Sequence, residues 1–310
     1  MRNIKKKCEV SIGKYLLIYY QTEMLKNLEA LNENVQLCIP FKRLNIVGRI
    51  IRNILYRLRC HHKYFYGDWK KNFSNYSVII IYALRNEEHL ISYLCAHKKE
   101  NQRIIVWYWN PVFRCVSPDK IKNLGCELWS FDPADCKNFD MKFNTTYYFR
   151  DLKLPSSQNK LFDVFFCGLN KGRKEKIDEI SDEFNKNKLT SLFYIVDDEL
   201  PVSKRLPYLS YDKYLEKLSC AVAVLDVLQE GQEGMTLRVM ESIYFGKKLI
   251  TTQTSIINED FYTPDNIFVI GKDNWDELND FMKRPVKKTP EQILEKYDFA
   301  TWLSRFDENR

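Results

Sequence analysis

Two short segments limit what this chain can become: residues 77–84, SVIIIYAL, and residues 103–109, RIIVWYW, each an almost unbroken apolar run. Runs of this kind are expected of strands buried on both faces, as in a parallel sheet with helices on either side. Around them the first half alternates short β-rich runs with helical segments. KYLLIYY from Lys14 is followed by a helix near 22–31, VQLCIP, a helix within 42–60, SVIIIYAL, a helix over 86–98, RIIVWYW and ELWSFD. Such alternation predicts an α/β fold with a parallel sheet.

At 151–160 the sequence DLKLPSSQNK turns polar, with Pro155 and two serines, just before a new strand LFDVFFCGL. A second alternating series then runs through a helix over 174–185, SLFYIVD, a helix over 211–218, AVAVLDV, a helix over 236–245, KKLITT, NIFVI and two terminal helical segments. With 310 residues the chain is long enough for two cores, since α/β domains run to roughly 100–200 residues. The expectation is two doubly wound Rossmann-like domains, 1–155 and 156–310. Ligands of such sheets sit outside the carboxyl ends of the strands.

Composition narrows the class. Charged residues at 29% and 19 each of Tyr and Phe argue for a folded chain, not a disordered one. The nine cysteines are scattered, without a C-x-x-C pair or a Cys/His cluster, so no zinc site or disulfide framework is expected. No run approaches the length that spans a bilayer, and the first residues lack the apolar core and cleavage site of a signal peptide, so a cytoplasmic protein is expected. The net charge of +7 is concentrated: Lys42, Arg43, Arg49, Arg52, Arg57, Arg59, Lys63, Lys70 and Lys71 stand against Asp68 alone. Leu44, Ile46, Val47, Ile50, Ile51, Ile54, Leu55 and Leu58 are interleaved at roughly helical spacing. Such a helix either faces the core with a solvated basic rim or lies on anionic lipid headgroups. No recognised nucleic-acid module accompanies the basic stretch, so nucleic acid is not expected as a partner.

The chemistry concentrates in residues 226–252, DVLQEGQEGMTLRVMESIYFGKKLITT. The segment leaves the strand AVAVLDV, passes a loop with Gly231 and Gly234, and opens a helix at about Thr236 that ends at Gly246. Its helix start faces the ligand edge of the sheet, where unpaired amides and the positive dipole end attract phosphate. The two glycines would let the backbone come close. Arg238, three residues before Glu241 on the same helix, can pair with it or reach a phosphate. Glu230 and Gln232 extend the polar loop. A second loop, GLNKGRK, places Gly168, Lys171, Gly172, Arg173 and Lys174 after the strand LFDVFFCGL, where a diphosphate should lie.

Glu233 and Glu241, seven residues apart, sit in EGMTLRVMESIYFGKKLIT. This segment resembles the E-x7-E signature of GT-B glycosyltransferases, flanks included. The resemblance implies two Rossmann-like domains facing across a cleft, with the last helix, at WLSRF, crossing back to the first domain. It implies that Glu241 accepts from the ribose hydroxyls of a nucleoside diphosphate sugar and that Glu233 lies near the donor sugar, with Gly234, Met235, Thr236 and Arg238 around the nucleotide. The GLNKGRK segment resembles the phosphate loop of the same superfamily, shortened, in which a Lys and an Arg, here Lys171 and Arg173, neutralise the leaving diphosphate beside Gly168. The second half is similar to donor domains of capsule, exopolysaccharide and lipopolysaccharide synthesis. Such enzymes act on lipid-linked or surface glycans at the inner face of the cytoplasmic membrane, usually with retention of configuration and without a metal or other cofactor.

The first domain is expected to hold the acceptor, with Tyr82, Trp107, Tyr108, Trp109 and Asn110 at strand ends as candidate sugar-stacking residues and alternate members in the core. His61, His62, His89 and His97 have no evident acid–base partner in the sequence. A nucleotide-sugar epimerase and a non-catalytic scaffold subunit share the fold and remain as alternatives. A Rossmann oxidoreductase is discounted, because no G-x-G-x-x-G follows either first strand.

Overall fold

The computed structural model of the chain describes residues 14–20, 32–58, 63–156, 159–197 and 199–308. It divides into two units, Met1–Trp129 and Ser130–Arg310. The helix expected over 22–31, His61 and His62 lie outside the described residues.

The first sheet comprises β1 (Tyr15–Ile18), β2 (Val35–Cys38), β3 (Val78–Tyr82), β4 (Arg103–Tyr108), β5 (Glu127–Ser130) and the two-residue β6 (Lys142–Phe143), in the order β2-β1-β3-β4-β5-β6. β1 pairs in parallel with β2 and β3, and β3 with β4. Every residue of β1 and β3 is buried, which is what the unbroken apolar runs require. Among the described residues, two α-helices accompany these strands, α1 (Ile46–Arg57) and α2 (Glu88–His97). α2 buries Leu90, Ile91 and Leu94. α1 does the opposite: Ile46, Ile50 and Ile54 keep 67%, 53% and 50% of their surface exposed, and Val47, Ile51 and the following Leu58 are exposed with them. The apolar stripe of α1 is therefore turned outward, beside exposed Lys42, Arg43, Arg49 and Arg57.

The second unit opens with α3 (Pro133–Phe139) and then repeats strand and helix: β7 (Phe162–Leu169), α4 (Lys174–Lys186), β8 (Ser191–Val196), α5 (Tyr211–Ser219), β9 (Ala221–Asp226), α6 (Leu237–Phe245), β10 (Lys248–Thr251), β11 (Ile267–Val269), α7 (Leu278–Lys283), α8 (Glu291–Tyr297) and α9 (Phe299–Glu308). The strand order is β11-β10-β9-β7-β8, and each pairing is parallel. One core joins Val164 and Phe166 of β7 and Leu225 of β9 to Ile177, Ile180 and Phe184 of α4 and Phe281 of α7. The helical members recur every three or four residues, the spacing that keeps one stripe on the sheet. Each large apolar side chain buried this way contributes roughly 1.5–3 kcal/mol of transfer free energy.

The division at Trp129 falls before the polar stretch at 151–160, where the composition changes. The cause is the segment from Asn144 to Phe149. Asn144 Nδ2 donates to the Trp302 carbonyl (3.0 Å), Tyr148 N to that of Tyr297 (2.8 Å), and Phe299 N to that of Tyr148 (2.9 Å). Tyr147 packs on Trp302 with ring centroids 4.4 Å apart. The last helix thus rests on residues that the sequence places before its own boundary, and they group with the second unit.

Candidate functional site

In the second sheet the strand order reverses at β7, which has β8 on one side and β9 on the other. Ligands of such sheets bind outside the carboxyl ends of the two strands at this switch point. Two loops meet there, one after β7 and one after β9.

The β7–α4 loop makes a tight turn through Lys171 (φ 48°) and Gly172 (φ 76°), both left-handed. A left-handed lysine is strained by its Cβ, and the Asn170 side chain helps to hold the turn by accepting from Lys174 N at 3.0 Å. The turn sends Arg173 back under the strand ends. Its guanidinium donates to the carbonyls of Val227 (2.7 Å), Leu169 (2.6 Å) and Asn170 (3.3 Å) and is 7% exposed. Arg173 therefore ties the end of β7 to the end of β9. Gly168 makes room for it, since a Cβ there would lie 3.2 Å from Arg173 Nη2. Lys174 points along its own helix to Asp178 (2.6 Å).

At the end of β9, Asp226 is completely buried. It accepts from the hydroxyls of Thr236 (2.8 Å) and Thr251 (3.0 Å) and faces Arg238 Nε at 3.4 Å. Thr236 Oγ1 in turn accepts from Arg238 N at 3.2 Å and caps α6, a bond typically worth about 1 kcal/mol. Arg238 is paired with Asp226 by this geometry. Its guanidinium lies 4.9 Å from the Phe166 ring centre, and that of Arg173 lies 5.3 Å from the same ring. One aromatic ring thus gathers two cations at the switch point, within cation–π range.

Glu241, in the second turn of α6, is 1% exposed. Tyr211 donates to its Oε1 at 3.1 Å and Tyr214 donates to its Oε2. Tyr211 also bonds the hydroxyl of Tyr148, and the rings of Tyr211 and Tyr214 stack. Burial pushes the Glu241 carboxyl up to about 7, against the opposing pull of the Tyr214 hydrogen bond, the Arg238 charge and the Tyr211 hydrogen bond. A carboxylate has about four acceptor positions, so it can take hydroxyl donors in addition to two phenols.

Glu233 is exposed in the preceding loop. The loop amides beside it are engaged within the protein. Glu233 N and Gly234 N both donate to Asp132 Oδ2, at 2.8 and 3.0 Å. Gly234 is required by Phe131: a Cβ would meet that ring at 2.6 Å. The same Asp132 caps α3 through Ala134 N at 2.9 Å. Gln253 Nε2 holds the Glu233 carbonyl (2.8 Å), Gln232 Nε2 that of Gly234 (2.9 Å), and the Thr146 hydroxyl that of Met235 (2.6 Å). Met235 is itself buried, whereas Glu230 is exposed. The straps from Asp132 and Thr146 come from 101 and 89 positions away in sequence, where no local signal could point to them. Tyr211, Tyr214, Asp226 and Asp132 likewise carry no motif that marks them as site residues. The Tyr211/Tyr214 pair, three apart on a helix, and an acid ending an apolar strand were the available signs.

In the first unit Trp107 and Tyr108 are core residues, and Tyr108 donates to the Val116 carbonyl at 2.9 Å. Tyr82 is buried between Tyr19 (4.3 Å between centroids) and Trp109 (5.6 Å), and Trp109 and Asn110 are half-buried. His97 stacks on Tyr93 at 4.1 Å, and His89 offers its carbonyl to Tyr66. Among the described residues no group of His, Cys, Asp and Glu is placed to hold a metal ion, and no helix is long and apolar enough to cross a membrane.

No family model matches the chain, and no curated protein sequence does. Its fold is found in solved structures. An alpha-glucosyltransferase, solved in complex with UDP and a 13-mer DNA containing a central A:G mismatch, superposes with a TM-score of 0.55 at 10% identity, over 96% of this chain and 98% of that one. This chain shares that protein's fold. A glycotransferase of kitacinnamycin is similar at a TM-score of 0.45 and 8% identity, covering 96% of this chain and 99% of its own. A glycosyltransferase from Rickettsia africae ESF-5 is similar at 0.44 and 7%, covering 96% and 98%. The two parallel sheets with interleaved helices agree with the two Rossmann-like domains of the GT-B architecture.

Proposed function

We propose that the chain is a glycosyltransferase whose second unit binds a nucleoside diphosphate sugar. The observation that carries this reading is the switch point of the second sheet, where the guanidinium groups of Arg173 and Arg238 share Phe166 and a capped helix leads to the buried carboxyl of Glu241. Cationic charge fixed at that edge suits a departing diphosphate. A carboxylate one turn further suits a ribose diol. A glycosyltransferase with a similar fold was solved with UDP, which supports a nucleotide as ligand.

In this reading Lys171 and Arg173 neutralise the leaving diphosphate, Arg173 by charge because its donors are given to carbonyls. Glu241 receives the ribose, and Glu233 reaches the sugar from its exposed loop. Gly168, Gly234, Met235, Thr236 and Arg238 shape and brace the pocket. The bond from C1 of the sugar to the phosphate oxygen breaks with its electron pair going to the diphosphate. A bond forms from C1 to an acceptor hydroxyl on a lipid-linked or surface glycan, whose proton passes to the leaving phosphate. That route retains configuration and needs neither a metal nor a protein base. The outward apolar stripe of α1 with its basic neighbours supports work at an anionic membrane surface, as capsule or lipopolysaccharide synthesis requires.

The test is release of nucleoside diphosphate from a panel of sugar nucleotides, with a chelator present and extracted bacterial glycolipids as acceptors. One active donor, with turnover lost in Lys171→Ala, supports transfer, and the anomeric proton coupling of the product reads the stereochemistry. Nucleotide binding without turnover on any acceptor would favour the scaffold.

A further inference from the structure

The first unit carries a second cationic site. A cavity of about 370 Å³ opens at the carboxyl ends of β1 and β2, lined by Tyr20, Ile39, Phe41, Lys42, Arg43, Leu44, Arg49 and Arg52. Four of these eight side chains are cations and none is an acid. Like charges gathered around one hollow repel one another and raise the local concentration of anions. Arg52 is the half-buried member and is held in place by stacking, its guanidinium 4.7 Å from the Phe41 ring centre.

A neighbouring acid sharpens the point. Glu87 follows β3, the strand beside β1, and is 4% exposed, with its Oε2 lacking a hydrogen-bond partner among the described residues. Burial pushes its carboxyl up to about 8, against the opposing influence of Arg52. Tyr19 and Tyr20, from the end of β1, feel the same acid. Glu87 is thereby held toward its uncharged form, and Arg52 lies between Tyr20 and Phe41 at the cavity. A buried carboxyl that does not form a close ion pair with the arginine beside it is an unusual expense in a core, and one that a cation-lined ligand site explains.

We propose that this cavity binds the phosphate or pyrophosphate group of an anionic ligand, held by Arg52 and Arg43 with Lys42 and Arg49 at the mouth. Arg52, stacked and half-buried, supplies a planar fork suited to phosphate oxygens. The apolar stripe of α1, which begins at the same cavity, suits a phosphate attached to a lipid. This rests on the glycosyltransferase reading only in taking the ligand as the acceptor of the reaction. The anion site stands on its own geometry.

The test uses the whole chain and inorganic pyrophosphate as the probe, followed by titration calorimetry in parallel with UDP. With UDP saturating the other unit, the Arg43→Gln/Arg52→Gln double variant should lose pyrophosphate affinity by about tenfold or more, while Lys186→Ala, at an exposed pair with Glu183 in the other unit, keeps it. The milder Arg49→Gln variant should lose a smaller part with an unchanged melting temperature, which covers the case of a misfolded double variant. Vesicles of phosphatidylcholine with and without phosphatidic acid identify the source. Phosphatidic-acid-dependent binding that pyrophosphate displaces assigns the group to a lipid headgroup; pyrophosphate binding without it assigns a soluble phosphate, and either supports the site. Pyrophosphate affinity equal in the wild type and in both Arg variants, or absent in all, overturns it. UDP binding in the double variant reports separately on the nucleotide reading.

Discussion

The carboxyl edges of the two sheets are built in opposite ways. In the second unit the buried charges at the edge are wired: Asp226 to Thr236, Thr251 and Arg238, Arg173 to three carbonyls, and Asp132 to the loop amides. In the first unit Lys42, Arg43 and Arg49 are exposed, and the buried Glu87 keeps an oxygen without a partner among the described residues. A wired edge holds its geometry before a ligand arrives, which is what transition-state stabilisation demands. An edge of solvated cations takes its shape from the ligand it binds. The same parallel α/β sheet thus serves as a rigid frame in one unit and an adaptable one in the other.

The largest contrast should come from cutting the wires. Asp226→Ala leaves Arg238 and two hydroxyls without their buried acceptor and should cost about 3–5 kcal/mol in urea unfolding, whereas Arg49→Gln at the first edge should stay within about 0.5 kcal/mol. Comparable losses would erase the distinction. Gly234→Ala comes next, because its Cβ would meet the Phe131 ring at 2.6 Å; a loss of roughly 1–3 kcal/mol is expected, with weaker nucleotide binding as the loop moves. A smaller effect is expected from Lys174→Ala, which breaks an exposed pair with Asp178 and should change stability by under about 0.5 kcal/mol.

Glu241 supplies a pH test of the wired edge. Its carboxyl is raised in the folded chain from 4.5 to about 7 by burial, so the native state binds the proton more tightly than the unfolded chain. The stability this contributes is full below about pH 4.5 and is lost as the pH rises through about 7. Relative to Glu241→Gln, the wild type should therefore lose stability across that window. Nucleotide affinity should move the other way and rise with pH through 7, because ribose hydroxyls donate to the ionised form. A pH-independent difference between the two proteins would remove Glu241 from the account.

Much of the frame was legible in the sequence because it is local. The run SVIIIYAL became the fully buried β3, and the segment read as a helix over 236–245 became α6 with Thr236 as its cap and the left-handed Gly246 at its end. The boundary expected at 151–160 rests on composition, which marks a linker, whereas the grouping into units follows contacts such as those of Tyr147 and Tyr148 with the final helices. The outward face of α1 could not be read either, since an amphipathic pattern does not say which side meets the sheet. Glu241 was found through its motif, but its phenol donors and the Asp132 strap are tertiary, and no spacing rule reaches them.

The most direct measurement is a thermal-shift titration with UDP, GDP, ADP, CMP and their sugar conjugates, on the wild type beside Glu241→Gln. A ligand that binds the folded state raises the melting temperature by mass action. The account predicts that one nucleotide stabilises the wild type and that the variant loses most of that shift while remaining folded. No shift with any nucleotide, under conditions that detect a control ligand, would contradict the central claim that the second unit is a nucleotide-sugar site.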